Sequence, residues 1–266
     1  MRVSPRVGRR PAAPLDRAPL GRGRGIGMGW TSGRHAGKDG GERRNDTPPM
    51  CGRLTLTHPN EALAALFDAV PGNDLPASPR FNICPTQDVP VVTAGEGRRR
   101  LRAMRWGLIP SWYKSPNDGP LIINARADTV AEKPAFREAI RQRRCLVVAS
   151  GFYEWSPGPG GSRLPWYVTR ADGQPMALGG LWQAWGERLT CAVVTTEAGP
   201  NLAHIHDREP LILQPEDWPK WLGEAGSGAA LLMHPTAAGV LRSHRVDPAV
   251  NSNRAQGPQL IEPLPA

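Results

Sequence analysis

Cysteine stands directly behind methionine at Met50–Cys51, and those two positions decide what chemistry this 266-residue chain has available. If the chain starts at Met50 and that methionine is removed, Cys51 carries a free α-amine and a thiol on adjacent carbons. An α-amine titrates at about pH 8 against about 10.4 for lysine, so roughly a tenth of it is unprotonated at pH 7. Such an amine attacks an aldehyde to give an imine. The neighbouring thiol then adds to the imine carbon and closes a five-membered thiazolidine. An internal Cys51 offers only an amide nitrogen, which is not a nucleophile, and is then a small buried residue like most cysteines.

The stretch before that pair does not read as a folded domain. Residues 1–49 hold eleven basic against four acidic residues, a net of +7, and are rich in Arg, Gly and Pro. Without a periodic apolar pattern they cannot bury enough surface to offset the entropy of ordering, so disorder is expected. They carry no apolar run of the kind a secretory signal needs. The stretch reads as upstream sequence joined by a mis-assigned start, with a removable leader or a basic tail that touches nucleic acid as alternatives. Of the total charge of +9, residues 50–266 carry only +2, from 22 bases against 20 acids. The basic balance therefore says nothing about nucleic-acid binding by the folded part.

From Cys51 onward the pattern is that of one α+β domain, residues 50–266, around a mostly antiparallel sheet with a few helices. The segment "NEALAALFDAV" (60–70) has helical apolar spacing, with Asn60 or Thr57 as its N-cap. "RFNICPTQDVPVVTA" reads as a strand interrupted by prolines, and "RRRLRAMRWGLIPSW" as a strand closing in a proline turn. "EKPAFREAIRQRRCLVVAS" passes from helix to buried strand. "GFYEWSP", "PWYVTR", "MALGGLWQAW" and "TCAVVTTEA" are short strands, "HIHDREPLILQ" enters another, and "PEDWPKWL" is a short helix. No apolar run approaches membrane-spanning length. The four cysteines show no paired spacing, so Cys84, Cys145 and Cys191 read as reduced core residues of a cytoplasmic chain. No residue cluster calls for a metal or cofactor.

The order "MCGR", "RFNICPTQ", "RWGLIPSW", "LIINARADTV", "GFYEW", "HIHDREPLIL" resembles the SRAP family of SOS-response-associated peptidases, understood as abasic-site processing proteins. The likeness spans essentially residues 50–256. It implies a barrel-like sheet, a catalytic cysteine exposed by methionine removal, and a covalent link to abasic sites in single-stranded DNA. By the same resemblance Asn124 holds the cysteine and the sugar oxygens, an amide being able to donate and accept without charge. Arg126, two residues on, shares its strand face and contacts phosphate. Glu154, between Tyr153 and Trp155, shuttles protons, and its aromatic surroundings should raise its pKa. His206 assists opening of the deoxyribose ring, while His204 is given no role.

The expected DNA surface is local. Arg53 follows the catalytic turn, Arg80 precedes "FN", Trp106 heads a hydrophobic loop able to stack on a base, and Arg208 takes a phosphate. The runs Arg98–Arg100 and Arg141–Arg144 read as solvated. The expected function is a monomeric protein that crosslinks itself to abasic single-stranded DNA through Cys51 and shields the lesion, with a lyase side reaction through the imine. Two rivals remain. A thiol autopeptidase would cut before Cys51 without an aminopeptidase and fail in Cys51→Ala. A non-catalytic single-strand binding module would lose nothing in that variant.

Overall fold

Short runs of β-branched and aromatic residues, punctuated by Gly, Pro and Asn, can bury their apolar faces only by pairing with one another. The computed structural model describes residues 51–265, so the expected extension over residues 1–49 lies outside the described residues. In chain order the strands are β1 (Arg53–Leu56), β2 (Ala69–Pro71), β3 (Arg80–Ile83), β4 (Asp88–Gly95), β5 (Arg98–Trp106), β6 (Asn124–Arg126) and β7 (Arg144–Ala149). They continue as β8 (Gly151–Pro157), β9 (Arg163–Arg170), β10 (Met176–Trp185), β11 (Arg188–Glu197), β12 (Arg208–Pro210), β13 (Ile212–Leu213) and β14 (Leu241–Arg245). Three short helices accompany them: α1 (Asn60–Leu66), α2 (Ala139–Gln142) and α3 (Trp218–Leu222). None is long and apolar enough to cross a membrane.

The strands form two sheets. One is antiparallel in the order β14-β9-β8-β1-β3. The other runs β12-β11-β10-β7-β4-β5-β2, with β13 on β10 and β6 on β11. Its ring closes where β11 pairs in parallel with β5, Thr190 beside Arg105 and Cys191 beside Trp106. The expected barrel-like sheet thus takes the form of a five-stranded ring, β5-β4-β7-β10-β11. Strands inside such a ring lose solvent from both faces, which is why five of the six residues of β7 are buried. Cys145 and Cys191 are fully buried in this core and Cys84 nearly so, all as free thiols.

Two local expectations are corrected. The helix over 60–70 stops at Leu66, and Ala69–Pro71 pairs in parallel with β5 instead. Asp68 takes a left-handed φ of 48° that turns the chain out of the helix. Its N-cap is neither Asn60 nor Thr57 but Pro59, without a side-chain bond. Asn60 donates instead to the Pro76 carbonyl. The arginine runs are also more anchored than solvated. Arg99 pairs with Glu224, Arg100 with Glu96 and Arg143 with Glu138, while Arg144 donates to the carbonyls of Trp221, Ile140 and Arg141.

Glu209 in β12 is fully buried and accepts hydrogen bonds from the Gly199 N–H, at 2.9 Å, and the Thr236 N–H. It thereby ties both ends of the loop between β11 and β12 to the segment after α3. Glu209→Ala leaves two buried N–H groups without acceptors, a cost of about 2–4 kcal/mol. The expected result is a lower urea midpoint with an unchanged denaturant slope.

Candidate functional site

The site begins where β1 enters the first sheet beside β8. Their antiparallel register sets Arg53 opposite Tyr153, Leu54 opposite Phe152 and Thr55 opposite Gly151. A side chain on Gly151 would meet Tyr167, whose hydroxyl oxygen would lie 2.5 Å from the added Cβ, so this strand can start only with glycine. Alternation along "GFYEW" then sends Phe152 into the large core and Tyr153 into a smaller cluster with Tyr167 and Val250. Glu154 follows Tyr153 and is 1% exposed.

Each oxygen of that carboxylate accepts a backbone N–H. The Cys51 N–H reaches Oε2 at 2.8 Å and the Trp155 N–H reaches Oε1 at 3.0 Å. Burial raises the Glu154 pKa to about 7, against the pull of those two bonds and of Arg163. Cys51 is itself fully buried and adopts a left-handed φ of 47°. Burial, and after it the Glu154 charge, holds its thiol well above the ordinary range, so the sulfur is protonated.

His206 lies in the loop between β11 and β12. Its Nδ1 has two neighbours that ask for opposite protonation. The Arg208 N–H, at 3.0 Å, needs a lone pair there, whereas the Asp207 carboxylate, at 2.9 Å, would need a proton. Burial lowers the His206 pKa more than Asp207 raises it, and Arg163 lowers it further. The imidazole is therefore neutral, with its hydrogen on Nε2.

Two clefts beside these residues share Trp155, the neighbour of Glu154, and Arg163 in their lining. One, of about 520 Å³, is lined by Trp155, Arg163, His204, His206 and Asp207 among others. The second, of about 430 Å³, is lined by Gly52, Arg53, Pro85, Ile123, Asn251 and Asn253, and again by Trp155 and Arg163. Asn124 follows Ile123 and is held in β6, which pairs in parallel with β11. Cys51, Glu154, Asn124 and His206 come from four separate parts of the chain.

The expected DNA-contacting residues divide. Arg53 lines the second cleft, but its guanidinium is committed to Asn82, the carbonyls of Val250 and Asn251, and Asn253. Arg126 is exposed and paired with Asp128 through Nε at 3.1 Å and Nη2 at 2.6 Å. Arg208 donates to the Thr195 carbonyl and hydroxyl and lines a different cleft beside Asp128. Arg80 holds Gln87 and the Asp88 carbonyl and lines neither of the two clefts beside the site. Trp106 is corrected: it is fully buried, with its indole N–H donating to the Ile123 carbonyl, and offers no ring face. Ring closure by β11 covers it. The exposed aromatic of the same loop is Trp112, at 57%.

Arg163 escaped the sequence reading. It opens β9 opposite Pro157, three residues beyond Glu154 on β8, and its guanidinium lies 5.9 Å from the Trp155 ring, as does that of Arg53. Unlike Arg53 it makes no ion pair or side-chain hydrogen bond with a described residue. The hairpin signal in "GFYEWSPGPGGSRLPWYV" would have placed it on the strand that pairs with the one carrying Glu154.

The model of the SOS response associated peptidase family, SRAP, matches residues 50–253. Abasic site processing protein YoqW of Bacillus subtilis is 33% identical over 224 residues, covering 80% of this chain and 99% of that one. Abasic site processing protein YedK of Escherichia coli is 31% identical over 228 residues, covering 81% and 100%. The rat protein HMCES, of the same description, is 31% identical over 80% of this chain and 76% of its own. A crystal structure of a Bacteroides thetaiotaomicron protein superposes with a TM-score of 0.71 at 24% identity, over 80% of this chain and all of that one, and supports the fold. With a family match over most of its length and relatives above 30% identity, this chain belongs to the SRAP family.

Proposed function

We propose that this chain processes abasic sites in single-stranded DNA by bonding to them through Cys51 once Met50 is removed. The observation that carries the reading is the buried Cys51 nitrogen, 2.8 Å from a carboxylate whose pKa is raised to about 7. The relatives' description as abasic site processing proteins supplies the substrate class.

The chemistry follows from proton positions. An α-ammonium with pKa of about 8 beside a carboxylate with pKa of about 7 can hand over its proton at little cost. The free amine adds to the aldehyde carbon of the ring-opened abasic sugar, giving a carbinolamine. Glu154 returns the proton to the hydroxyl, water leaves, and the protonated imine that remains gives its N–H proton back to the Glu154 carboxylate. The Cys51 thiol, protonated in its buried position, then adds sulfur to the imine carbon and its proton to the nitrogen. Aldehyde and aminothiol become a thiazolidine and one water. His206, neutral with its hydrogen on Nε2, is the donor suited to opening the sugar ring. Asn124 orients the sugar, while Arg126, Arg163 and Arg208 meet flanking phosphates.

The primary test uses the chain beginning at Cys51 and an oligonucleotide with one abasic site. The expected result is an adduct that survives denaturation and is absent in Cys51→Ala and in a chain that retains Met50. Undiminished, denaturation-labile binding in both would overturn the reading and favour a binding module.

Two further outcomes follow. Below its pKa Glu154 is protonated and cannot accept the ammonium's proton, so adduct formation should rise with pH through a bend. The positive charge of the α-ammonium favours the carboxylate, so that bend lies at or below about 7. Glu154→Gln should lose the bend and about 10²–10⁴ of the rate in pre-steady-state gel assays. Arg163→Ala should weaken binding to undamaged single strands of any sequence. Its salt slope should fall by about 0.7, as read in fluorescence titrations.

A further inference from the structure

At the other end of β1 and β8 from Cys51 lies a third cleft, of about 470 Å³, assigned no part in the reaction above. Cys51 and His58 are seven residues apart along an extended chain, so the two places are separated by a distance on the order of 20 Å. Stretches distant in sequence meet at this cleft. Thr57 and His58 follow β1, Ser150 joins β7 to β8, and in the β9–β14 pair Thr169 lies opposite Arg242 and Tyr167 opposite His244.

Its polar groups are almost all donors. The Ser150 hydroxyl oxygen accepts the Thr57 N–H at 2.8 Å and sits 2.7 Å from His58 Nδ1. The Ser150 oxygen keeps a second lone pair, so it either accepts from Nδ1 or donates to it; the tautomer in which Ser150 donates carries the His58 hydrogen on Nε2 and makes that nitrogen a donor. Burial lowers the His58 pKa, in keeping with that neutral form. Arg242 Nε donates to the Thr169 hydroxyl at 3.1 Å, which fixes the plane of the guanidinium and leaves both of its Nη groups without a described partner. Thr169 retains its own hydroxyl hydrogen. His244 Nε2 donates to the Ile261 carbonyl at 2.8 Å and closes the cleft with the C-terminal segment. None of the residues lining the cleft is acidic.

A guanidinium whose two Nη groups have no described partner, with a hydroxyl and imidazoles beside it and no acidic residue lining the cleft, matches the charge and geometry of a phosphate group. We propose that this cleft binds a phosphate ester, with Arg242 as its principal contact and His58 and Thr169 as secondary donors. The ester belongs either to a nucleic-acid strand or to a free phosphorylated metabolite, and the two sources are separable by length of ligand.

The test is calorimetric titration of the whole chain with deoxyadenosine 5′-monophosphate and with an undamaged ten-nucleotide single strand. It compares wild type with Arg242→Gln and with Arg188→Gln, an exposed arginine remote from this cleft and paired with Asp88. The expected result is a tenfold or greater loss of monophosphate affinity in Arg242→Gln, with Arg188→Gln within twofold of wild type. A parallel loss for the ten-nucleotide strand assigns the site to nucleic acid, and an unchanged strand affinity assigns it to a free phosphate ester. The proposal is overturned if Arg242→Gln binds the monophosphate within twofold of wild type, or if Arg188→Gln loses as much. A melting temperature for Arg242→Gln within a degree or two of wild type guards against misfolding. Arg242→Lys, which keeps charge but not the fork, should recover only part of the affinity.

Discussion

A carboxylate buried without a salt-bridge partner is expensive, and Glu154 is tolerated because two backbone N–H groups replace the water it has lost. One of those groups is the Cys51 nitrogen, so the requirement of Glu154 for a partner and the position of Cys51 are the same constraint. Moving β1 by one residue along β8 would break it, because neighbouring residues on a strand face opposite sides. Phe152 and Tyr153 secure the register by filling two different apolar clusters, and Gly151 lets Tyr167 come close enough to Thr55 to share a hydrogen bond of 2.8 Å. The site is therefore as rigid as the packing of the strand that carries it.

The remaining parts are brought in by two clamps of similar logic. Arg53 spends its guanidinium on Asn82, on the carbonyls of Val250 and Asn251, and on Asn253, which pins the C-terminal segment against the start of β1. Glu209 does the same for the loop that carries His206, with N–H donors from Gly199 and Thr236. A charged group that satisfies several backbone partners at once is a positional device before it is a binding one. That is why Arg53, so close to Cys51, is a poorer match for phosphate than the less committed Arg163. Trp155 stands between these two arginines and forms a shared wall of both clefts.

Local pattern made much of this legible, and long-range pairing hid the rest. The strand character of "GFYEWSP" and the aromatic flanks of Glu154 point from local pattern to a buried carboxyl, as the apolar settings of Cys145 and Cys191 point to buried thiols. Trp106 could not be placed that way. The alternation in "RRRLRAMRW" predicts an exposed face near its end, yet Met104, Arg105 and Trp106 are all buried because β11 closes the ring against β5. Apart from Asn82, the partners of Arg53 are about two hundred residues away in sequence, so its role as a clamp has no local signature. The same holds for Ala69–Pro71, where pairing with β5 overrides a helical pattern that continues past Leu66.

The geometry also bears on the bond between Met50 and Cys51. With that peptide bond in place, Cys51 sits at φ 47°, a conformation that costs an L-residue about 1–2 kcal/mol because Cβ crowds a carbonyl oxygen. Glu154 and the core around the thiol fix Cys51 from the other side, so the residue cannot relax without giving up the N–H bond or the burial of its sulfur. Cutting the bond removes the residue that defines φ, and with it any reason for the conformation to be unfavourable. It also turns a neutral N–H donor, 2.8 Å from the carboxylate, into an ammonium, whose contact with a carboxylate is stronger. If the chain begins at Cys51, as proposed, both changes are favourable, and the nitrogen stays in the place where the proposed reaction needs a nucleophile.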